Sequence, residues 1–345
     1  EATTTNTLTF TPSNWDTAQT VTVTGIDDDI IDGTVTSSTV ISIIDANSDD
    51  DFDSVADQTV SVDTSDDDTP GFTIEETDAA TEVDESGSTD IFTVVLDAQP
   101  TSDVVLTITS DDTGEATVPA SVTFTPVNWD TAQTVTVTGV DDDLVDGTIT
   151  STITVAVDDA NSDDDFDGLD DQTVSVDTLD DDVAGFTIEE TDGSTEVDES
   201  GTTDIFTVVL DAQPTSDVVL TITSDDTGEA TVPASVTFTA ADWDTPQTVT
   251  VTGVDDSIID GTITSTITVA VDDANSNDSF DDLADQTVSV DTLDDDVAGF
   301  TIEETDGSTE VDESGTTDIF TVVLDAQPTS DVVLTITSDD TGEAT

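Results

Sequence analysis

Not one lysine, arginine or histidine occurs among the 345 residues, against 84 Asp and Glu, so the formal charge is −84. Without Lys or Arg there is nothing to neutralise phosphate, which excludes nucleic acid and anionic membranes as partners. Without His or Lys the common general bases, the Schiff-base amine and the imidazole metal ligands are gone. Cysteine is absent as well, so there is no disulfide framework, thiolate metal site or cysteine nucleophile. No apolar run approaches the roughly 18 residues of a membrane-spanning helix. The sequence opens at Glu1 without a signal-peptide pattern, the mark of a mature, trimmed or partial chain.

So acidic and aromatic-poor a composition is compatible with disorder, but the residue order is not. Gln133-Thr-Val-Thr-Val-Thr-Gly139 and Ser151-Thr-Ile-Thr-Val-Ala-Val157 alternate Thr with Val or Ile at period two. That period places apolar side chains on one face of a strand and hydroxyls on the other. Asp, Gly, Asn and Pro cluster between such runs as turn formers. No segment carries a 3.6-residue period, so the chain is expected to be all-β.

Internal repetition organises the rest. Gly71-Phe-Thr-Ile-Glu-Glu-Thr-Asp78 returns at Gly185 and Gly299, and Trp15, Trp129 and Trp243 keep the same spacing of 114. Residues 70–183 and 184–297 differ at 15 of 114 positions, and 298–345 copy 184–231 without change. Residues 1–69 match 115–183 more loosely. The expected domains are therefore the later part of a sandwich unit (1–69), two complete units (70–183 and 184–297) and the first part of another (298–345). A 114-residue period suits an immunoglobulin-like β-sandwich. Seven strands are predicted near 72–76, 91–97, 103–109, 121–125, 133–139, 148–157 and 173–178. Inward-facing candidates are Phe92, Val94, Leu96, Val105, Ile108, Val122, Phe124, Val135, Val137, Ile153, Val155 and Val174.

The acids gather in turns that follow strands: Glu82 and Glu85; Asp111 and Asp112; Asp141, Asp142, Asp143 and Asp146; Asp180, Asp181 and Asp182. Turns after alternate strands lie at one end of a sandwich, so several clusters converge on one pole. Two carboxylates about 5 Å apart repel by roughly 0.8 kcal/mol even in bulk water, and the chain has no cationic side chain to offset this. A divalent cation is the expected counter-charge, and oxygen-only ligands on loops suit Ca²⁺ better than the stricter octahedron of Mg²⁺. The competing reading is a set of solvated turn acids in a salt-adapted protein.

Three segments then carry a family resemblance. Val137-Thr-Val-Thr-Gly-Val-Asp-Asp-Asp-Leu-Val-Asp146 resembles the strand, Asp-Asp pair and following acid of Calx-beta domains. Val176-Asp-Thr-Leu-Asp-Asp-Asp182 is similar to that family's terminal Asp triplet, and Glu85-Ser-Gly87 ahead of Ile91–Leu96 to its early Glu-x-Gly. One position departs: the acid after the pair, usually Glu, is Asp146 or Asp260. The resemblance implies a calcium-binding sandwich. In residues 70–183 its ligands would be Glu85, Asp141, Asp142, Asp146, Asp180, Asp181 and Asp182, with Asp112 added on geometry. In residues 184–297 they would be Glu199, Asp255, Asp256, Asp260, Asp294, Asp295 and Asp296, with Asp226. Residues 1–69 retain Asp27, Asp28, Asp32, Asp66, Asp67 and Asp68.

Two further features have rival readings. Asp163-Asp-Asp-Phe-Asp-Gly168 opens like a calcium loop but lacks the distal Glu; it is otherwise a polar loop pinned by Phe166. The three Trp residues either stack on sugar or cap the sandwich edge. No pair of acids stands out as catalytic, so an enzyme is not expected. The expected role is a calcium-stiffened extracellular or cell-surface stalk or fibre, such as an adhesin or surface filament. Its partners would be neighbouring repeats of the same protein or identical subunits. A glycan- or surface-binding module and an intracellular calcium sensor are the alternatives. The partial end units, whose residues Glu343-Ala-Thr345 repeat Glu1-Ala-Thr3, have two explanations. The favoured one is a window on a longer polypeptide; the other is a tail that completes the next subunit's head.

Overall fold

The computed structural model describes residues 2–339 and 341–342; the overlap of Glu343–Thr345 with the start of the chain falls largely outside them. The protein is all-β, and its helical content among the described residues is limited to short 3-10 turns. It divides into two compact units, Glu1–Asp142 with Gly147–Asp181, and Asp143–Asp146 with Asp182–Thr345.

Within the first unit, two sheets face each other across one core. The larger runs in the order Ser121–Phe124, Val104–Ser110, Ile149–Val157, Gln172–Leu179 and Thr81–Asp84. The smaller runs Phe72–Glu76, Thr89–Leu96, Gln133–Gly139 and Ala116–Thr117. Thr81–Asp84 and Ala116–Thr117 thus join the seven expected strands. Thr81–Asp84 lies parallel to Val176–Leu179, whereas its neighbours in the sheet pair antiparallel. The second unit repeats both sheets 114 residues later.

The period-two pattern places the core where it predicts. Val135 and Val137 are fully buried while Thr134 and Thr136 between them are exposed. Phe92, Phe124 and Ile153 meet from the two sheets. Each such side chain contributes roughly 1.5–3 kcal/mol by leaving water. One inward assignment is corrected: Val104, Leu106 and Ile108 face the core, and Val105 lies on the other face of that strand. Strand parity requires this, and the Val105 backbone is held by the Ser162 hydroxyl at 3.0 and 3.2 Å.

The loop after the Asp-Asp pair reaches into the following repeat. Leu144–Val145 pairs in parallel with Gln213–Pro214, and Val145 is buried in the core of the second unit. In the first unit Ile30 bridges Gln99 in the same way, and Ile31 is buried in that core. Ile258–Ile259 pairs with Gln327–Pro328 within the second unit.

Gly253 permits the close approach on which the site depends. A Cβ there would sit 2.2 Å from the carbonyl oxygen of Asp198, the residue before Glu199. Gly253→Ala is expected to lower stability by about 1–3 kcal/mol through overpacking, read from urea denaturation; an unchanged midpoint would contradict the tight contact.

Candidate metal centre

The second unit shows the site most fully. Glu199 leaves the parallel strand Thr195–Asp198, and its N–H donates to the Leu293 carbonyl at 3.0 Å. That bond draws the head of the residue under the sheet edge, and Glu199 is only 1 % exposed. Asp256 and Asp260 come from the loop after Gln247–Gly253, and Asp294 and Asp296 from the end of Gln286–Leu293. Turn chemistry fixes both loops. The Gly261 N–H, on a residue with φ of 77°, donates to Asp294 Oδ2 at 2.8 Å, and the Asp296 N–H donates to Asp294 Oδ1 at 2.8 Å. Asp256 Oδ1 accepts from the Ile258 N–H at 2.6 Å.

Carboxylate oxygens of Glu199, Asp256 and Asp296 lie within 4.8 Å of one another, as do those of Glu229, Asp256 and Asp260. Asp256 belongs to both trios. Glu229 was not among the sequence candidates. Asp226 was, but its Oδ1 accepts from the Gly228 N–H at 2.9 Å, closing its own turn. Glu229, three residues on, is 7 % exposed and enters the cluster instead. Its backbone explains why: the Glu229 carbonyl accepts from the Val254 N–H at 2.8 Å, tying this turn to the Asp-Asp loop. Asp255 and Asp295 are exposed and outside both trios.

In the first unit, Asp112 likewise accepts from the Gly114 N–H at 3.0 Å, and Glu115 is 7 % exposed. Glu85 is buried, and its carboxylate oxygen lies within 4.8 Å of one from Asp180. Asp180 accepts from the Gly147 N–H at 2.8 Å. Asp141, Asp142 and Asp181 are exposed, while Asp146 and Asp182 are half-buried. Among residues 2–69, Asp66 accepts from the Asp32, Gly33 and Asp68 N–H groups, so the turn is kept. Asp27, Asp28 and Asp67 are exposed. No trio forms there among the described residues.

The electrostatics of the second-unit site are one-sided. Removal from water, then the charges of Asp256, Asp294, Asp260 and Glu229, push the Glu199 carboxyl up to about 7. Burial and then Asp260 raise Glu229, and burial and then Asp294 raise Asp296. Asp294 moves the other way, held below the usual range by the Gly261 and Asp296 N–H groups. Glu199 Oε2, Glu229 Oε2 and Asp296 Oδ2 are buried without a hydrogen-bond partner. At 4.8 Å two charges repel by about 3.5 kcal/mol at an effective dielectric of 20. Unpartnered carboxylate oxygens on two converging trios fit a hard cation, and an oxygen-only donor set fits Ca²⁺. A ligand must be deprotonated to bind. Calcium affinity is therefore expected to be constant above pH 8 and to fall as pH drops through about 7 and Glu199 takes a proton; calorimetric titration at pH 8 and 6 checks this.

The Asp163 loop follows the simpler of its two readings. Asp163 Oδ2 accepts from Thr101 Oγ1, the Ser102 N–H and Ser102 Oγ, while its Oδ1 accepts from the Asp165 N–H and caps the short turn Asp164–Phe166. In the next repeat Asn277 holds the same hydroxyls through its amide, so no carboxylate is required. Phe166 and Phe280 are fully buried beneath these loops. Trp129 and Trp243 pack half-buried against the two cores, as edge caps do. Two surface depressions of about 270 and 280 Å³, one at Gly71 and Phe72 and one at Gly185 and Phe186, are lined by none of the trio residues.

No protein-family model and no curated protein matches the chain. Among solved structures it is similar to domains 4 and 5 of the S-layer protein SbsC, with 17 % identity over 65 % of this chain and 99 % of that one, at a TM-score of 0.28. The calcium binding domain CBD12 of CALX1.1 shares 12 % identity over 57 % of this chain and 80 % of its own, at a TM-score of 0.24. The titin domains z1z2 in complex with telethonin share 11 % identity over 66 % and 97 %, at a TM-score of 0.29. Likenesses this distant carry nothing further.

Proposed function

We propose that the chain is a calcium-stiffened segment of an extracellular or cell-surface repeat protein, serving as stalk or fibre rather than as a catalyst. The observation that carries this reading is the pair of acid trios around Asp256, with buried, unpartnered oxygens on Glu199, Glu229 and Asp296 in a chain without a single cationic side chain. Extracellular modules bind Ca²⁺ at roughly 10⁻⁴–10⁻³ M, so such sites fill outside the cell.

Stiffening is supported by connectivity within the second unit. Asp256 and Asp260 flank Ile258–Ile259, whose backbone pairs with Gln327–Pro328 of the next repeat. The Gln327 N–H also donates to the Ser257 carbonyl. An ion that fixes Asp256 and Asp260 fixes the strand between them, and with it the junction. Small-angle scattering in millimolar calcium is expected to give a larger maximum dimension and less flexibility than in chelator. Identical profiles would overturn the stalk reading.

A further inference from the structure

Within each complete repeat the chain enters at one end of the sandwich and leaves at the other, so tension runs along its strands. In residues 184–297 the Gln286 side chain donates to the Phe186 carbonyl, so Gln286–Leu293 and Phe186–Glu190 start at one end. The Glu199 N–H donates to the Leu293 carbonyl at 3.0 Å, so Thr195–Asp198 and Gln286–Leu293 finish together at the other. Chain arriving before Phe186 and chain departing after Leu293 therefore pull in opposite directions. Residues 70–183 repeat both contacts, from Gln172 to the Phe72 carbonyl and from the Glu85 N–H to the Leu179 carbonyl.

Register decides what that pull must break. Thr195, Glu196, Val197 and Asp198 lie parallel to Val290, Asp291, Thr292 and Leu293. Phe186–Glu190 pairs over its whole length with Phe206–Leu210. Inter-strand bonds run across or at a slant to the strands. A pull along the strands strains every bond of a ladder at once, whereas strands drawn apart from one end yield bond by bond. The acid trio sits at the far end of the parallel ladder. Glu199 directly follows Thr195–Asp198, and Asp296 lies three residues beyond Gln286–Leu293. Their carboxylate oxygens are within 4.8 Å of each other and of one from Asp256. Sliding the entry strand against the exit strand carries Glu199 away from Asp296.

We propose that Thr195–Asp198 and Gln286–Leu293 form a shear clamp that carries tension through the repeat, and that an ion held by Glu199, Asp256 and Asp296 staples its far end. Calcium then sets how long the repeat survives under load. The staple rests on the calcium reading given above; the clamp rests on register alone. An ion that must let go before the strands slide is bound in the folded state and lost at the barrier. Its whole binding advantage therefore slows forced unfolding.

The test uses the full chain, which has no native cysteine, held at constant force through pairs of introduced cysteines. Val183→Cys with Val297→Cys, both at exposed positions, spans one repeat and loads it in shear. Ser200→Cys, also exposed, with Val297→Cys places both handles at one end and peels the exit strand away. In chelator, at the same force and ionic strength, the shear lifetime is expected to exceed the peeling lifetime at least about tenfold, the worth of one or two ladder bonds. Calcium at a hundredfold excess over Kd is expected to lengthen the shear lifetime on the order of a hundredfold. Glu199→Gln, with a site about tenfold weaker, should cut that gain about tenfold. Melting of the same chains is followed in calcium and in chelator. Equal shear and peeling lifetimes in chelator would overturn the clamp. A melting temperature that rises in calcium beside an unchanged shear lifetime would sink the staple and spare the calcium reading. Calcium that moved neither quantity would remove the staple and the calcium reading together.

Discussion

In chelator at fixed ionic strength, the complete sandwiches are expected to melt on the order of 10 °C lower than in calcium at a hundredfold excess over Kd. Each filled site contributes about 2.7 kcal/mol at that excess. For a domain of this size 1 kcal/mol moves Tm by about 4 °C, so one site per repeat accounts for the shift and a second, sharing Asp256, enlarges it. Ionic strength must be matched, because a chain of charge −84 gains from any salt through screening. Magnesium at the same concentration is expected to restore only a small part, since it gives up its water reluctantly and needs a regular octahedron. The measurement is a melt followed by circular dichroism in calcium, magnesium and chelator. Equal melting temperatures in calcium and chelator would show that the trios are solvated turn acids and would end the calcium reading.

Much of this architecture was legible in residue order, for a physical reason. Thr-Val alternation fixes which face of Gln133–Gly139 is apolar, and the 114-residue repeat returns as the same strand order in both units. What was not legible has an equally definite cause. Val104-Val105-Leu106 is apolar without a break, so parity could not be read from it, and the core takes Val104 and Leu106. Thr81–Asp84 holds one Val among polar residues, and its place as a parallel edge strand is set by its partner Val176–Leu179.

The same distinction divides the site. Glu199 and the Asp256 and Asp294–Asp296 loops were recognisable because each lies in a short segment that carries the Calx-beta resemblance. Glu229 was hidden because its turn holds two acids, and sequence alone does not say which one bends to cap the turn. The structure assigns that task to Asp226, through Gly228, and frees Glu229 for the cluster. A signal was nevertheless present: Asp112-Thr-Gly114 is an Asx-turn pattern, which commits its first acid locally and leaves Glu115, or Glu229 one repeat later, as the better candidate.

Glu199→Gln is expected to act with opposite sign in the two conditions. In chelator, the native carboxyl sits among like charges at 1 % exposure, with its pKa pushed up to about 7 from 4.5. A carboxyl raised in the folded state binds its proton more tightly there than in the unfolded chain. Its stabilising protonation is therefore complete below pH 4.5 and is lost as pH rises through about 7. At pH 8 the ion-free protein bears the whole cost, roughly 3 kcal/mol at 1.36 kcal/mol per pH unit. Glutamine keeps the shape, removes the charge, and offers an N–H to Asp256 or Asp296, so the ion-free variant should be more stable than the native chain at pH 8. Its stability should also lose the part of its slope between pH 4.5 and 7 that Glu199 contributes. In calcium the order reverses, because a neutral amide is a poorer ligand than a carboxylate: affinity should fall at least about tenfold, or 1.4 kcal/mol. Urea denaturation at pH 8 in chelator and in calcium reads both effects on one protein. A residue that merely filled space would move both midpoints the same way. A crossing of the two orders is the signature of a buried carboxylate held in place for an ion, and destabilisation in both conditions would assign Glu199 a purely structural role.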